Sequence, residues 1–268
     1  MTERLVPDPD RAGAYVVRID GTDQSWVDPD DPTRLEFDYV RRIADVIDAH
    51  APPGERLRVL HLGGGGLTLP RYVAATRPTS AQIVFEPDET LTEEVRRVVP
   101  LPRNSGIKVR PQDGRAGLAA VREDFADLVI VDAFDGARVP AELTTIEFLT
   151  DVRRVLRPGG TALWNLTDAA PFPYTRRVAA GLRAIFAEVL LAAEPATLKG
   201  RRFGNILAVG STAALPVAAL NRAAAGAVFP YRILNALQLI RFAEGVTPYT
   251  DADAQQSPEP PGGRAFFR

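Results

Sequence analysis

The stretch RVLHLGGGG, Arg58 to Gly66, decides the fold: an apolar run that halts in four successive glycines. An apolar run of this kind reads as a buried strand. A glycine bend at its end lets the backbone turn sharply and approach a ligand with no Cβ in the way. Nucleotide-type cofactors are cradled like this, and a plain tight turn in an α/β domain uses the same residues. The segments that follow bear on the choice.

Gln82 to Phe85 is a second apolar run and ends in Glu86. Ile107 to Arg110 leads into Gln112-Asp113-Gly114, and Leu128 to Val131 ends in Asp132. Each polar residue falls at the carboxyl end of an expected parallel strand, the edge at which open α/β sheets bind ligands. A carboxylate there, such as Glu86, accepts hydrogen bonds from both hydroxyls of a ribose. Asp113 either accepts from an adenine amino group or caps the helix that follows, and Asp88 is a better cap than Glu86 for the helix before it.

From Leu57 to Val209 the pattern alternates. Strands are expected near 58–62, 82–86, 107–110, 127–132, 160–166, 187–193 and 204–210, with helices near 68–77, 88–98, 114–123, 145–156 and 173–185. Such alternation specifies a mostly parallel sheet covered on both faces. Arg157-Pro158-Gly159-Gly160 stops a helix and turns the chain. The sixth and seventh runs lack a long helix between them, which predicts an antiparallel hairpin at the sheet edge. Upstream, Tyr15–Ile19 and Gln24–Val27 flank a turn at Asp20-Gly21 and read as a hairpin. A first helix is expected from Asp31-Pro32-Thr33, with Leu35, Tyr39, Ile43, Val46 and Ile47 at helical spacing. Downstream, helices are expected near 215–225 and 231–243, and the segment from Thr247 is a proline-rich extension with too little apolar surface to fold alone. The chain thus divides into an N-terminal hairpin and helix (1–54), a Rossmann-like domain (55–211), C-terminal helices (212–247) and an extension (248–268).

Composition narrows the function. In 268 residues, 46% are hydrophobic and 25% charged, ordinary for a soluble globular protein. A formal net charge of −2 gives no electrostatic case for a nucleic-acid partner. Cysteine is absent, which removes disulfides, thiolate catalysis and cysteine metal sites. The two histidines, His50 and His61, have no second histidine at metal-ligand spacing, so no metal is expected. His61 lies inside the first strand and reads as a packed residue. No G-x-S-x-G elbow accompanies either histidine, and no run approaches the roughly 20 apolar residues of a membrane span. The start, MTERLVPDPD, does not read as a signal peptide, and a cytoplasmic protein without a membrane partner is expected.

At this point the sequence resembles the spermidine synthase family, from about Asp20 to Ser211. The family's D-G-x-x-Q hairpin is matched by Asp20-Gly21-Thr22-Asp23-Gln24, and its glycine loop G-G-G-D-G-G in part by Gly63-Gly64-Gly65-Gly66. Its ribose-binding acid falls on Glu86, its adenine-side G-D-G-R on Gln112-Asp113-Gly114-Arg115, and its D-S-S-D-P segment on Asp132-Ala133-Phe134-Asp135-Gly136. The resemblance implies an adenosylmethionine-type methyltransferase fold with a seven-stranded sheet. It also implies S-adenosylmethionine or its decarboxylated form as co-substrate, a polyamine as small-molecule acceptor, and a homodimer paired through the hairpin. The hairpin is too small to be stable alone and needs a neighbour. By the same analogy Asp132 is the general base, unless it is only a cap or turn-former. Tyr39, Asp135 and Asn165 bind the acceptor, and Gln24, Gly63, Gly64, Gly65, Glu86, Asp113 and Gly114 bind the co-substrate. Trp164, beside Asn165, either borders the acceptor pocket or packs in the core, and the loops 134–143 and 167–174 line that pocket.

Two motifs depart from the family. The aspartate of the glycine loop is replaced by Gly66, and Y-H-E reads Tyr39-Val40-Arg41. In the family that aspartate faces the aminopropyl arm and repels the carboxylate of ordinary adenosylmethionine, so its loss removes a like-charge discrimination. Arg41 either enters the pocket, where it disfavours a diamine, or faces water. The expectation is a retained cofactor pocket whose choice of donor and acceptor has drifted. Three readings stay open: aminopropyl transfer, methyl transfer to a small molecule, and a non-catalytic nucleoside-binding or dimerisation scaffold.

Overall fold

The alternation of strand and helix is present in the computed structural model, which describes residues 4–19 and 21–261. The first sheet is built from β1 (Leu5–Pro7), β2 (Tyr15–Ile19) and β3 (Thr22–Val27), and helix α1 (Asp38–His50) follows. Next come β4 (Arg58–Leu62), α2 (Thr68–Thr76), β5 (Ala81–Phe85), α3 (Glu89–Val98), β6 (Ile107–Arg110), α4 (Gly114–Ala119) and β7 (Ala126–Val131). A 3₁₀ turn at Ala141–Leu143 precedes α5 (Ile146–Val155), β8 (Leu156–Asp168), α6 (Pro173–Ile185), β9 (Glu188–Ala193), the short α7 (Pro195–Leu198) and β10 (Gly204–Ser211). Then follow α8 (Val217–Gly226), β11 (Arg232–Leu234) and α9 (Ala236–Phe242).

Among the described residues the main sheet has eight strands in the order β11-β9-β10-β8-β7-β4-β5-β6. β8, β7, β4, β5 and β6 run parallel, and β10, β9 and β11 are joined antiparallel at one end. The chain leaves β4 toward β5 on one side and returns to β7 on the other. A crevice therefore opens beyond the carboxyl ends of β4 and β7, where the connections diverge, the place at which such sheets bind ligands. β7 is buried at every residue, as an apolar run in a sheet covered on both faces must be. Two cores result. Phe148, Val152 and Leu182 pack on one face and Ile43, Ile47 and Val73 on the other.

Caps follow local chemistry. Asp88 accepts from the Leu91 amide at the start of α3, and Asp113 accepts from the Ala116 amide at the start of α4. The expected start of the first helix at Asp31 is corrected: α1 begins at Asp38. The Asp31 carboxylate takes the amide and hydroxyl of Thr33 in a local turn instead. The helix expected over 231–243 is also corrected. Arg232–Leu234 pairs with β9 as an eighth strand where seven were expected, and Asn235 with Gln238 forms a capping box that starts α9 only at Ala236.

The hairpin is one strand larger than expected, and its Asp20 lies outside the described residues. Its apolar face is covered from within the chain, where Leu5, Val17 and Val27 pack with Leu67, Val84, Leu91 and Val95. The neighbour that such a small sheet requires is thus its own domain.

The proline-rich segment is docked on the body. Tyr249 and Ser257 are buried, and the Asp251 and Asp253 carboxylates pair with Arg115 and Arg177.

Candidate active site

Leu62 ends β4 and hands the chain to Gly63, whose φ of +97° is one that L side chains rarely adopt. A Cβ on Gly63 would stand 2.2 Å from the Asp132 carbonyl oxygen. The glycine is therefore what lets the tips of β4 and β7 lie side by side. Gly64 turns against Glu86: its amide donates to Glu86 Oε2 at 2.8 Å, and a Cβ there would lie 3.0 Å from that side chain. The other oxygen, Oε1, accepts from the Asp88 amide at 2.9 Å. Glu86 is thus held by two backbone amides, with lone pairs left for a ligand.

These elements enclose a cavity of about 590 Å³, in the range of a nucleoside-sized ligand. Gln24, Tyr39, Gly63, Gly64, Gly65, Glu86, Asp113, Gly114, Asp132 and Asp135 all line it. Its apolar wall includes Phe85, Leu91 and Ile130. Asp113 has its side chain on the α4 cap and borders the cavity. Glu142 adds a further carboxylate, and no Lys or Arg stands among the described lining residues. His61 reaches this wall but is bonded to the Gln82 amide at 2.9 Å. Burial pushes its imidazole down to about 4, so it is neutral at physiological pH and packed, as the sequence suggests.

Asp132 sits deep at the tip of β7. Burial raises its carboxyl to about 6, against the opposing effect of the Asn165 amide, which donates to Oδ1 at 2.9 Å. Asn165 does not line this cavity; it faces a second one of about 840 Å³. Gln24, Tyr39, Phe134 and Gly136 belong to both cavities and form the wall between them. Gln24 donates to the Gly136 carbonyl at 2.8 Å, which fixes part of that wall. The Tyr39 hydroxyl has no hydrogen-bond partner among the described residues. Burial, and then the nearby Asp132 and Asp38 carboxylates, keep its phenol protonated far above the usual range. Asp135 is exposed and bonded through its backbone to Arg138.

Two residues singled out from sequence lie elsewhere. Gly66 does not line the cavity. A Cβ there would be 3.1 Å from Ser25 Oγ and Val17 Cγ2, pointing to the N-terminal sheet. Arg41 lines neither cavity; it donates to the Leu35 carbonyl and stacks over Phe229 at 5.7 Å. Trp164 resolves as core, fully buried, with its indole N–H on the Leu143 carbonyl at 3.1 Å. Phe134, Gly136 and Ala137 line the outer cavity, whereas residues 167–174 line neither.

Asn205 escaped notice in the sequence. Its amide donates to Asn165 Oδ1 at 2.9 Å, which fixes which way Asn165 points and so turns the Asn165 N–H₂ toward Asp132. A polar residue near the start of an otherwise apolar run, GNILAVG, was the available signal. With Asn205→Leu the Asn165 amide is free to present its oxygen to Asp132. The acid limb of the pH–rate profile is then expected to move up by roughly half a unit to one unit, with little change in the plateau. An unshifted limb would show that the relay does not tune Asp132.

No protein-family model matches the chain. A polyamine aminopropyltransferase of Vibrio vulnificus is 30% identical over 146 residues, 52% of this chain and 46% of that protein. One from Chromobacterium violaceum is 27% identical over 145 residues, 54% of each. The chain spans about half the length of these curated relatives. Human methyltransferase-like protein 13 shares the backbone at a TM-score of 0.54 and 20% identity, covering 79% of this chain, a likeness of fold. The main domain is thus a Rossmann-like methyltransferase fold. The crystal structure of a probable spermidine synthase from Corynebacterium glutamicum superposes at a TM-score of 0.85, with 32% identity and 92% of both chains covered. Likeness of that depth over nearly the whole length makes this chain a member of the spermidine synthase family.

Proposed function

We propose that the protein transfers an aminopropyl group from decarboxylated S-adenosylmethionine to an amine. The observation that carries this reading is the charge of the inner cavity. Glu86, Asp113, Asp132, Asp135 and Glu142 line it with no Lys or Arg among the described residues. A donor bearing a sulfonium and a free ammonium is attracted there, while the carboxylate of ordinary adenosylmethionine meets like charge. Discrimination by like charge is thus supplied by the strand tips, with no part taken by Gly66, whose missing side chain points away from the cavity. Glu86 is the acceptor for the ribose hydroxyls, Asp113 and Gly114 border the base, and the bend at Gly63–Gly65 admits the donor close to the backbone.

In the reaction the amine lone pair attacks the carbon beside sulfur. An N–C bond forms, and the C–S bond breaks with its electron pair going to sulfur, leaving a neutral thioether. The proton shed by the nitrogen passes to Asp132, whose carboxyl, raised to about 6, is ionised at pH 7 and more basic than an exposed aspartate. Tyr39 and Asp135 orient the amine, and Asn165 acts on it through Asp132. A cytoplasmic homodimer belongs to this proposal on family likeness alone. For the described residues, no helix is long and apolar enough to cross a membrane.

Titration with both donors, followed by mass analysis of the amine product, tests the reading. The decarboxylated donor is expected to bind at least about tenfold tighter and to yield an amine heavier by one aminopropyl group. Tighter binding of ordinary adenosylmethionine with a methylated product would establish methyl transfer instead. Glu86→Gln removes an ionised acceptor worth ~1.5–3 kcal/mol, so donor affinity should fall about ten- to a hundredfold. Unchanged affinity would remove Glu86 from the nucleoside site.

A further inference from the structure

The outer cavity differs in charge from the inner one. Four carboxylates line it, but Asp23 is paired with Arg18, Asp38 with Arg42 and Glu194 with Arg202. Among the described residues Glu36 is the lining carboxylate without a cation partner, and Lys199 and Arg201 are lining cations without an anion. The walls between are apolar: Phe37, Phe134, Ala137, Phe229 and Pro230. At about 840 Å³ the space exceeds what a short diamine needs.

An amine lying across the junction that Gln24, Tyr39, Phe134 and Gly136 share would set its nitrogen toward Asp132 and its remaining length in this cavity. There a second ammonium meets two uncompensated cations and one anion. A carboxylate meets the reverse. Resting on the transfer reading above, we infer that the outer cavity favours an amine acceptor with an apolar body and an anionic far end, held at Lys199 and Arg201. Arg201 lies four residues before Asn205, and Asn205 is joined through Asn165 to Asp132.

The test uses a matched pair differing only at one end, ε-aminohexanoate and hexamethylenediamine. Each is titrated calorimetrically into the full chain with the thioether nucleoside product filling the inner cavity. The amino acid is expected to bind about tenfold tighter than the diamine. The double variant Lys199→Glu with Arg201→Glu, both exposed, should reverse that order with an unchanged far-ultraviolet dichroism spectrum. Tighter binding of the diamine by the unaltered protein, preferences indifferent to the two substitutions, or binding of neither amine overturns the inference. Turnover is measured separately. Charge-dependent binding without any transferred aminopropyl group would sink the transfer reading and leave the anion site standing. Transfer to the diamine in preference to the amino acid would do the opposite.

Discussion

Replacing Asp132 with asparagine is expected to lower the turnover number by about 10²- to 10⁴-fold while leaving the fold intact. The amide keeps the shape and still accepts from Asn165, but it cannot take the proton that the attacking nitrogen sheds. In the unaltered protein turnover should rise with pH through about 6 and level off above it, because the working form is the ionised carboxylate. Stability runs the other way. The folded carboxyl is raised above its unfolded value, so this group's contribution is fully present below about pH 4 and is lost as pH climbs through about 6. Keeping the charge at pH 7 therefore costs on the order of 2 kcal/mol, allowing for solvent reaching the group through the cavity. Asp132→Asn should accordingly melt at a higher temperature than the unaltered protein at pH 7.5, with the gap closing toward pH 4. A variant that is neither slower nor more stable would show that this carboxylate is neither the proton acceptor nor under strain.

The second large effect is expected at Gly63. A methyl group there meets the Asp132 carbonyl at 2.2 Å and imposes a side chain on a φ of +97°. Retreat is costly for both, since Gly63 and Asp132 directly follow the paired Leu62 and Val131 and their amides are bonded to the Phe85 and Leu62 carbonyls. Gly63→Ala should cost roughly 3 kcal/mol or more, a fall of about 6–12 °C in Tm for a chain of this size. Gly54→Ala isolates the backbone contribution: φ is +83° but nothing lies within 4 Å of the added carbon, so about 1 kcal/mol is expected. Equal losses at the two positions would mean that the approach of β4 to β7 is looser than it stands here.

Why some features can be read from the chain and others cannot follows from the range of the interactions. The run from Arg58 to Gly66 announces a buried strand and a bend because both depend on adjacent residues, and Asp88 announces its cap for the same reason. Glu86, Asp113 and Asp132 could be set on strand ends by counting, and they do face one cavity. The strand Arg232–Leu234 is three residues long, and its pairing with β9 leaves no periodic trace. Asp31 carries a helix-start signal that a competing local turn absorbs seven residues before the helix. The family motif could match Gly66 to an aspartate but could not give the direction of its missing side chain, which depends on Ser25 and Val17, 41 and 49 residues upstream. Asn205 reaches Asp132 through one intermediary across two strands, a relation that no spacing along the chain expresses.

The docking of the terminal segment has a kinetic consequence. Residues 134–140 look like a flap over the reacting centre, yet they are hemmed on both sides. Gln24 holds the Gly136 carbonyl, and Ser257 exchanges bonds with Val139 in both directions while accepting from Arg138. Lifting this rim breaks at least these four hydrogen bonds, roughly 4 kcal/mol or more, so a raised position is occupied by at most about one molecule in a thousand. Swinging such a flap is a poor pacemaker for catalysis, and the reacting groups keep their spacing between one encounter and the next.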